Sequence, residues 1–208
     1  MDRLDDAERC YRSAITILRE LGDWVRVGPV LLNTGYLHLR RGDHGKAIAA
    51  FRESLEVFER SGAIGGRGSA YANLGLVHHD MGDLDEAERY YLLAIEDNRT
   101  VAAAARADSS KVGDRRGLAQ LLGRLAKVHL DRGEVARAVE GHREEVRLLR
   151  FVGDKRLLAD AVHALGEALL VAGDVGAARE AWSEALPLYE DLGDDERVAA
   201  VRERLFFV

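Results

Sequence analysis

Between short breaks in the chain, apolar residues recur at spacings of three and four. Ala47, Phe51, Leu55 and Phe58 form one such set, and Ala178, Trp182, Ala185 and Tyr189 form another. That spacing lays one apolar stripe along an α-helix, with polar residues on the opposite side. The breaks are glycines. Gly-Asp or Gly-Glu pairs stand at Gly42-Asp43, Gly82-Asp83, Gly133-Glu134 and Gly173-Asp174. A second set reads Leu21-Gly22-Asp23, Ser61-Gly62, Val112-Gly113-Asp114, Val152-Gly153-Asp154 and Leu192-Gly193-Asp194. Glycine closes a helix because it accepts the left-handed backbone there, and the Asp after it can cap the next helix. Two glycine turns per unit make each unit a helical hairpin.

The hairpins repeat. The first set of glycines is stepped by 40, 51 and 40 residues. Seven residues before each lies a small residue, Gly35, Gly75, Ala126 or Gly166. Five residues after each lies an alanine, Ala47, Ala87, Ala138 or Ala178, and four beyond that come Phe51, Tyr91, His142 and Trp182. A small residue on the first helix (A) and an alanine on the second (B) let the two backbones approach. Units that touch only their neighbours stack into a solenoid.

Leu74, Gly75, His78, Gly82, Ala87, Tyr91 and Ala94 resemble the tetratricopeptide repeat signature, which has Leu, Gly, Tyr, Gly, Ala, an aromatic and Ala at those offsets. The resemblance runs along nearly the whole chain. It departs in its period, 40 residues in place of the usual roughly 34, and in lacking the proline that commonly ends helix B, so helix B is expected to run longer. The long variant is similar to arrays on spindle-orientation adaptors and, especially, on bacterial signal-transduction ATPases and transcription regulators, where they follow a nucleotide-binding domain. The resemblance implies an all-α fold, a right-handed α-solenoid of antiparallel helix hairpins with about ten helices and no strands. A single array then covers 1–208: a half-repeat at 1–22, repeats at 23–62, 63–113, 114–153 and 154–193, and a terminal helix at 194–208.

Both ends are half-repeats. Residues 3–20 fit a helix B without its helix A, and 195–208 a helix A without its helix B. Terminal repeats normally carry a polar outer face, which Leu205, Phe206, Phe207 and Val208 do not supply. The chain reads as an array excised from a longer protein, or as one whose uncapped ends are covered by self-association into a homo-oligomer. The 51-residue step holds 11 extra residues, within DNRTVAAAARADSSK. They amount to about three helical turns, which keeps the helix facing the same way and predicts a helix B longer by about 16 Å. A break near Asn98 to Thr100 is the alternative, and a docking arm or a cover for the groove is the alternative role to a solvated extension.

Composition narrows the function classes. A net charge of −6 and a pI near 5.7 argue against a nucleic-acid backbone as partner, which needs a concentrated basic surface. No apolar run approaches the roughly 18 residues of a membrane span, and MDRLDDAERC lacks the regions of a secretory signal, so the expected location is cytoplasmic. Cys10 is the only cysteine, which excludes an internal disulfide framework and a multi-cysteine zinc site; it is expected to pack as a small apolar side chain.

His38, His78 and His129 share one repeat position, where the family usually has Tyr. Metal binding is not expected from them, since equivalent positions in neighbouring repeats lie about a helix-packing distance apart, 8–10 Å or more, against Zn–N bonds of about 2 Å. His79 does not complete a chelate with His78, because adjacent helical residues face apart. The acidic runs at 83–88 and 191–196 sit at helix starts and turns, where carboxylates relieve unpaired N–H groups. Phosphate loops, nucleophile elbows and His-Glu-x-x-His are all missing, so neither an enzyme nor a cofactor is expected. The resemblance implies instead a concave face lined by helices A, with Leu32, Asn33, Tyr36 and Arg40; Ala72, Asn73, Leu76 and His79; Gly123, Arg124, Lys127 and Asp131; and His163, Ala164, Glu167 and Val171. Asparagines at the position of Asn33 and Asn73 commonly bond the backbone of an extended peptide in this family. The peptide-binding set is therefore Asn33, Tyr36, Arg40, Asn73, Leu76, His79, Arg124 and Lys127. The function implied is a non-enzymatic scaffold gripping a peptide or helix of a partner protein, or alternatively the sensor or regulatory arm of a larger bacterial signalling or transcription-regulating protein.

Overall fold

A computed structural model describes residues 3–104 and 110–207. Among the described residues there are ten helices and no strand, an all-α solenoid built in two compact units, 1–104 and 105–208. The first unit holds α1 (Arg3–Glu20), α2 (Trp24–Arg40), α3 (His44–Ser61), α4 (Ile64–Asp80) and α5 (Leu84–Ala104). The second holds α6 (Ser110–Asp131), α7 (Val135–Val152), α8 (Lys155–Val171), α9 (Val175–Leu192) and α10 (Asp195–Phe207). Each helix packs on the next within its unit, most extensively in the pairs α2 with α3, α4 with α5, α6 with α7 and α8 with α9.

The turns show why the chain reverses where it does. Gly42 and Gly82 have φ of +76° and +78°, a region open to glycine at no steric cost. In that conformation the Asp43 amide reaches back to the His38 carbonyl at 2.9 Å and the Gly42 amide to Leu39 at 2.9 Å, pairing carbonyls the ending helix would leave orphaned. The following acid caps some helices but not all. Asp154 and Asp174 accept from Leu157 and Ala177 amides at 3.0 Å. Asp43 and Glu134 make no such bond; their carboxylates face Lys46 and Arg137 instead.

The small residues of helix A lie where the rings of helix B arrive. The backbone at Gly35 abuts the Phe51 ring, Gly75 the Tyr91 ring and Gly166 the Trp182 indole, so that no Cβ fits without displacement. The third hairpin swaps the partners: Ala126 keeps its methyl, and Gly141 of α7 provides the space. Phe51, Tyr91 and Trp182 are fully buried as a result. Around Trp182 the core of the second unit continues through Val162, Ala178, Ala185, Tyr189 and Val201.

Three expectations are corrected. Val112-Gly113-Asp114 does not close a unit, because α6 begins at Ser110 and runs through it. A glycine in a helix interior costs only about 1 kcal/mol, which the flanking helix formers offset. The extra length is shared, since α5 has 21 residues and α6 has 22 against 17 or 18 in α2, α3, α8 and α9. No break occurs at Asn98 to Thr100, which lie inside α5; residues 105–109 of the insertion fall outside the described residues. Finally, Cys10 is exposed. The half-buried stripe of α1 runs through Ala7, Tyr11, Ala14 and Leu18, and Cys10 stands beside it.

Candidate functional site

The helix-A faces were expected to carry the site, and the two units present them differently. In the first unit Asn33, Tyr36 and Arg40 follow one another along α2 and are all exposed. Tyr36 ties three helices together: its ring meets Phe51 of α3 edge-on at 5.7 Å, and its hydroxyl donates to Oδ1 of Asn73 on α4 at 2.5 Å. Asn73 itself is buried. Its amide thus holds Tyr36 in place, a different job from the one implied for both asparagines; of the two, only Asn33 is exposed. Leu76 and His79 are half-buried beside it.

The second unit has a more charged face. Arg124 is half-buried and Lys127 exposed, its Nζ 3.2 Å from Asp131 one turn on. Gly123 is turned inward, where its backbone faces the Glu145 carboxylate of α7. His163 also faces its own hairpin, edge-on to Tyr189 at 6.1 Å. Burial holds its pKa below the ordinary imidazole range, with the Glu167 carboxylate pulling the other way. Glu167 in turn sits 3.0 Å from Nε of Arg204 on α10. Gly123 and His163, the first positions of their sets, therefore face the hairpin interior, because 3.6 residues per turn carries them past the edge of the exposed face.

The repeated histidines are structural. His38, His78 and His129 are buried. Nδ1 of His78 lies 3.0 Å from Asp83, and its ring stacks on Tyr90 at 5.4 Å. Nδ1 of His129 lies 3.0 Å from Glu134. Among the described residues no group of three or more His, Cys, Asp or Glu is placed to hold a metal ion. No described helix is long and apolar enough to cross a membrane. Sequence reasoning passed over one half-buried pair, Asp97 on α5 with Arg67 on α4, joined by two hydrogen bonds, one of them Nε to Oδ2 at 2.8 Å. Gly68, next to Arg67 and with its backbone facing Asp97, is the signal that was available.

Solved structures with this arrangement are distant in sequence. The crystal structure of BtubC (BKLC) from P. vanneervenii matches with a TM-score of 0.79 at 19% identity, over 91% of this chain and 74% of that one. The apo form of RapI matches with a TM-score of 0.85 at 13% identity, over 100% and 72%. A signal transduction ATPase with numerous domains and a tetratricopeptide repeat sensor, from Pyrococcus horikoshii, matches with a TM-score of 0.76 at 16% identity, over 94% of this chain and 29% of that one. No curated protein matches the sequence. Tetratricopeptide repeat family models match residues 1–60, 68–98 and 159–184. With three matches to one repeat family on a solenoid of glycine-seated hairpins, the chain belongs to the tetratricopeptide repeat family.

Proposed function

We propose that this protein is a non-enzymatic interaction scaffold of the cytoplasm whose helix-A faces grip a peptide or helix of a partner protein. The observation that carries the reading is the row Asn33, Tyr36 and Arg40, exposed on α2 while Asn73 braces Tyr36 from below. A braced aromatic flanked by an amide and a guanidinium offers stacking, a backbone hydrogen bond and a charge at little ordering cost to the receptor. In the second unit Arg124 and Lys127 would meet an acidic group of the partner. Such a contact weakens as salt rises.

The test is capture of partners by the parent and by an Asn33→Ala, Arg40→Glu, Arg124→Glu variant, both shown folded by circular dichroism. Loss of partners from the variant is expected. Retention of every partner would remove these faces from consideration.

A second reading, the sensor or regulatory arm of a larger signalling protein, draws support from the Pyrococcus horikoshii match. There the region like this chain makes up 29% of the protein. A nucleotide-binding or DNA-binding domain encoded beside this array would decide for it.

A further inference from the structure

At the edge where each helix A begins and its helix B ends, the second unit is lined with charge. Lys155 pairs with Asp191 at 3.0 Å, Arg116 with Asp154 at 2.5 Å and Arg156 with Asp194 at 2.8 Å. Arg115, in the register of Lys155, lies over the Phe151 ring, 3.7 Å from its centroid. The α2–α3 hairpin has neither kind of pair. In the register of Lys155 and Asp191 it carries Trp24 and Arg60, and in the register of Arg156 and Asp194 it carries Val25 and Ala63.

Exposed ion pairs contribute only about 0–1 kcal/mol each, so the fold loses little by their replacement. What replaces them is unfavourable in water. Trp24 is 47% exposed and Val25 72%, and Leu21 beside them is 73% exposed. Single exposed apolar residues need no explanation, whereas a group of them gathered at one edge marks a contact surface.

Trp24 and Val25 at the start of α2, Val57 and Arg60 at the end of α3 and the Gly22-Asp23 turn line a cleft of about 570 Å³. Its two charges differ in how far they are spent. Asp23 accepts from the Arg26 amide at 3.3 Å and faces the Arg26 guanidinium at 3.4 Å. Arg60 has the Glu56 carboxylate 3.9 Å away, outside hydrogen-bond reach, and an indole in place of a charge at the register position opposite. The cleft thus offers apolar walls and one cation that makes no hydrogen bond to a carboxylate. That combination is complementary to an apolar group with a negative charge beside it, and Trp with Arg are residue types that carry much of the energy at protein interfaces.

We propose that this cleft docks a segment of a protein partner that presents an aliphatic side chain next to an acidic one, the aliphatic group against Trp24 and Val25 and the carboxylate on Arg60. The site shares no residue with the helix-A set assigned to a protein partner, so it stands or falls separately.

The test is an NMR titration of the full chain, followed at the Trp24 indole N–H, with the peptides acetyl-Gly-Leu-Glu-Gly-amide and acetyl-Gly-Leu-Gln-Gly-amide at matched ionic strength. A saturable shift with both is expected, the Glu peptide binding about tenfold more tightly, equivalent to ~1.4 kcal/mol. Arg60→Gln, a change at an exposed position, should remove that preference. Val25→Ser, also at an exposed position, should weaken both peptides alike by about fivefold. Arg52→Gln, elsewhere on α3, should leave both titrations unchanged. Absence of a saturable shift, equal binding of the two peptides to the parent, a preference that survives Arg60→Gln, or binding indifferent to Val25→Ser would overturn the proposal. So would a dimer in sedimentation that Val25→Ser dissociates, since the patch would then belong to a second copy of this chain.

Discussion

A Cβ placed on Gly75 would stand 2.8 Å from both Cδ1 and Cε1 of Tyr91, so the backbone of α4 occupies the space against the ring that a side chain would need. Replacing Gly75 by Leu forces the two helices apart or the ring off its rotamer, at a cost of roughly 1–3 kcal/mol. For a chain of this size that lowers the thermal midpoint by about 2–4 °C per kcal/mol. An unmoved midpoint would show the register to be wrong at this position.

Tyr36 and Asn73 depend on each other through one hydrogen bond. Tyr36→Phe leaves the buried Asn73 oxygen without its donor, which costs about 1–3 kcal/mol. Asn73→Leu removes the need for a donor and should be the milder change in a Tyr36→Phe background. Chemical denaturation of the two single variants and the double variant forms the cycle, and additive effects would mean that the two residues do not couple.

The Arg67 and Asp97 pair is asymmetric, Asp97 being buried and the Arg67 side chain about one third exposed. Arg67→Ala strands a buried carboxylate and should cost toward the lower end of about 3–5 kcal/mol, since one partner is already partly solvated. Asp97→Ala leaves an arginine that can turn to water and should cost less. The reverse order in urea denaturation would refute this account.

Trp182 is fully buried, and its indole N–H has no partner among the described residues. Trp182→Phe removes an unsatisfied donor along with some packing, so the two effects oppose and the net loss should stay within about 1–2 kcal/mol. Trp182→Ala, which empties the site, should cost about 3–5 kcal/mol. Urea denaturation followed by circular dichroism measures both losses.

His163 supplies a pH dependence whose sign follows from burial. Its folded-state pKa lies below the ordinary value, so below about pH 6.5 the unfolded chain binds the proton first. Stability is then full above that pH and declines as the pH falls from about 6.5 toward the lowered value. His163→Gln should flatten this part of the profile, measured by denaturation between about pH 7.5 and 5. Identical slopes for parent and variant would assign the dependence to other groups.

The hairpins were legible because their signals are local. Gly42 and Gly82 announce turns by a backbone freedom that belongs to the residue itself, and Ala47 with Phe51 announces a buried stripe by helical periodicity alone. Neighbouring helices do not have to be known for either inference. The pattern matched Gly35 with Ala47 as the small residues of the hairpin, and only the packed structure seats the Phe51 ring on Gly35.

The roles within the face were settled by contacts between hairpins, which no local pattern encodes. Asn33 and Asn73 share a repeat position and an identical side chain, yet Asn33 is exposed while Asn73 is buried beneath Tyr36, because Tyr36 from the preceding hairpin reaches one and not the other. His38 and His78 likewise share a position, and Asp83 turned toward one imidazole while Asp43 turned to Lys46. The helix at Val112-Gly113-Asp114 is a different case: a single glycine's preference of about 1 kcal/mol is small beside the summed propensity of a 22-residue helix. Local propensity chose the hairpin, and the partner each side chain met across the stack decided whether it is buried or exposed.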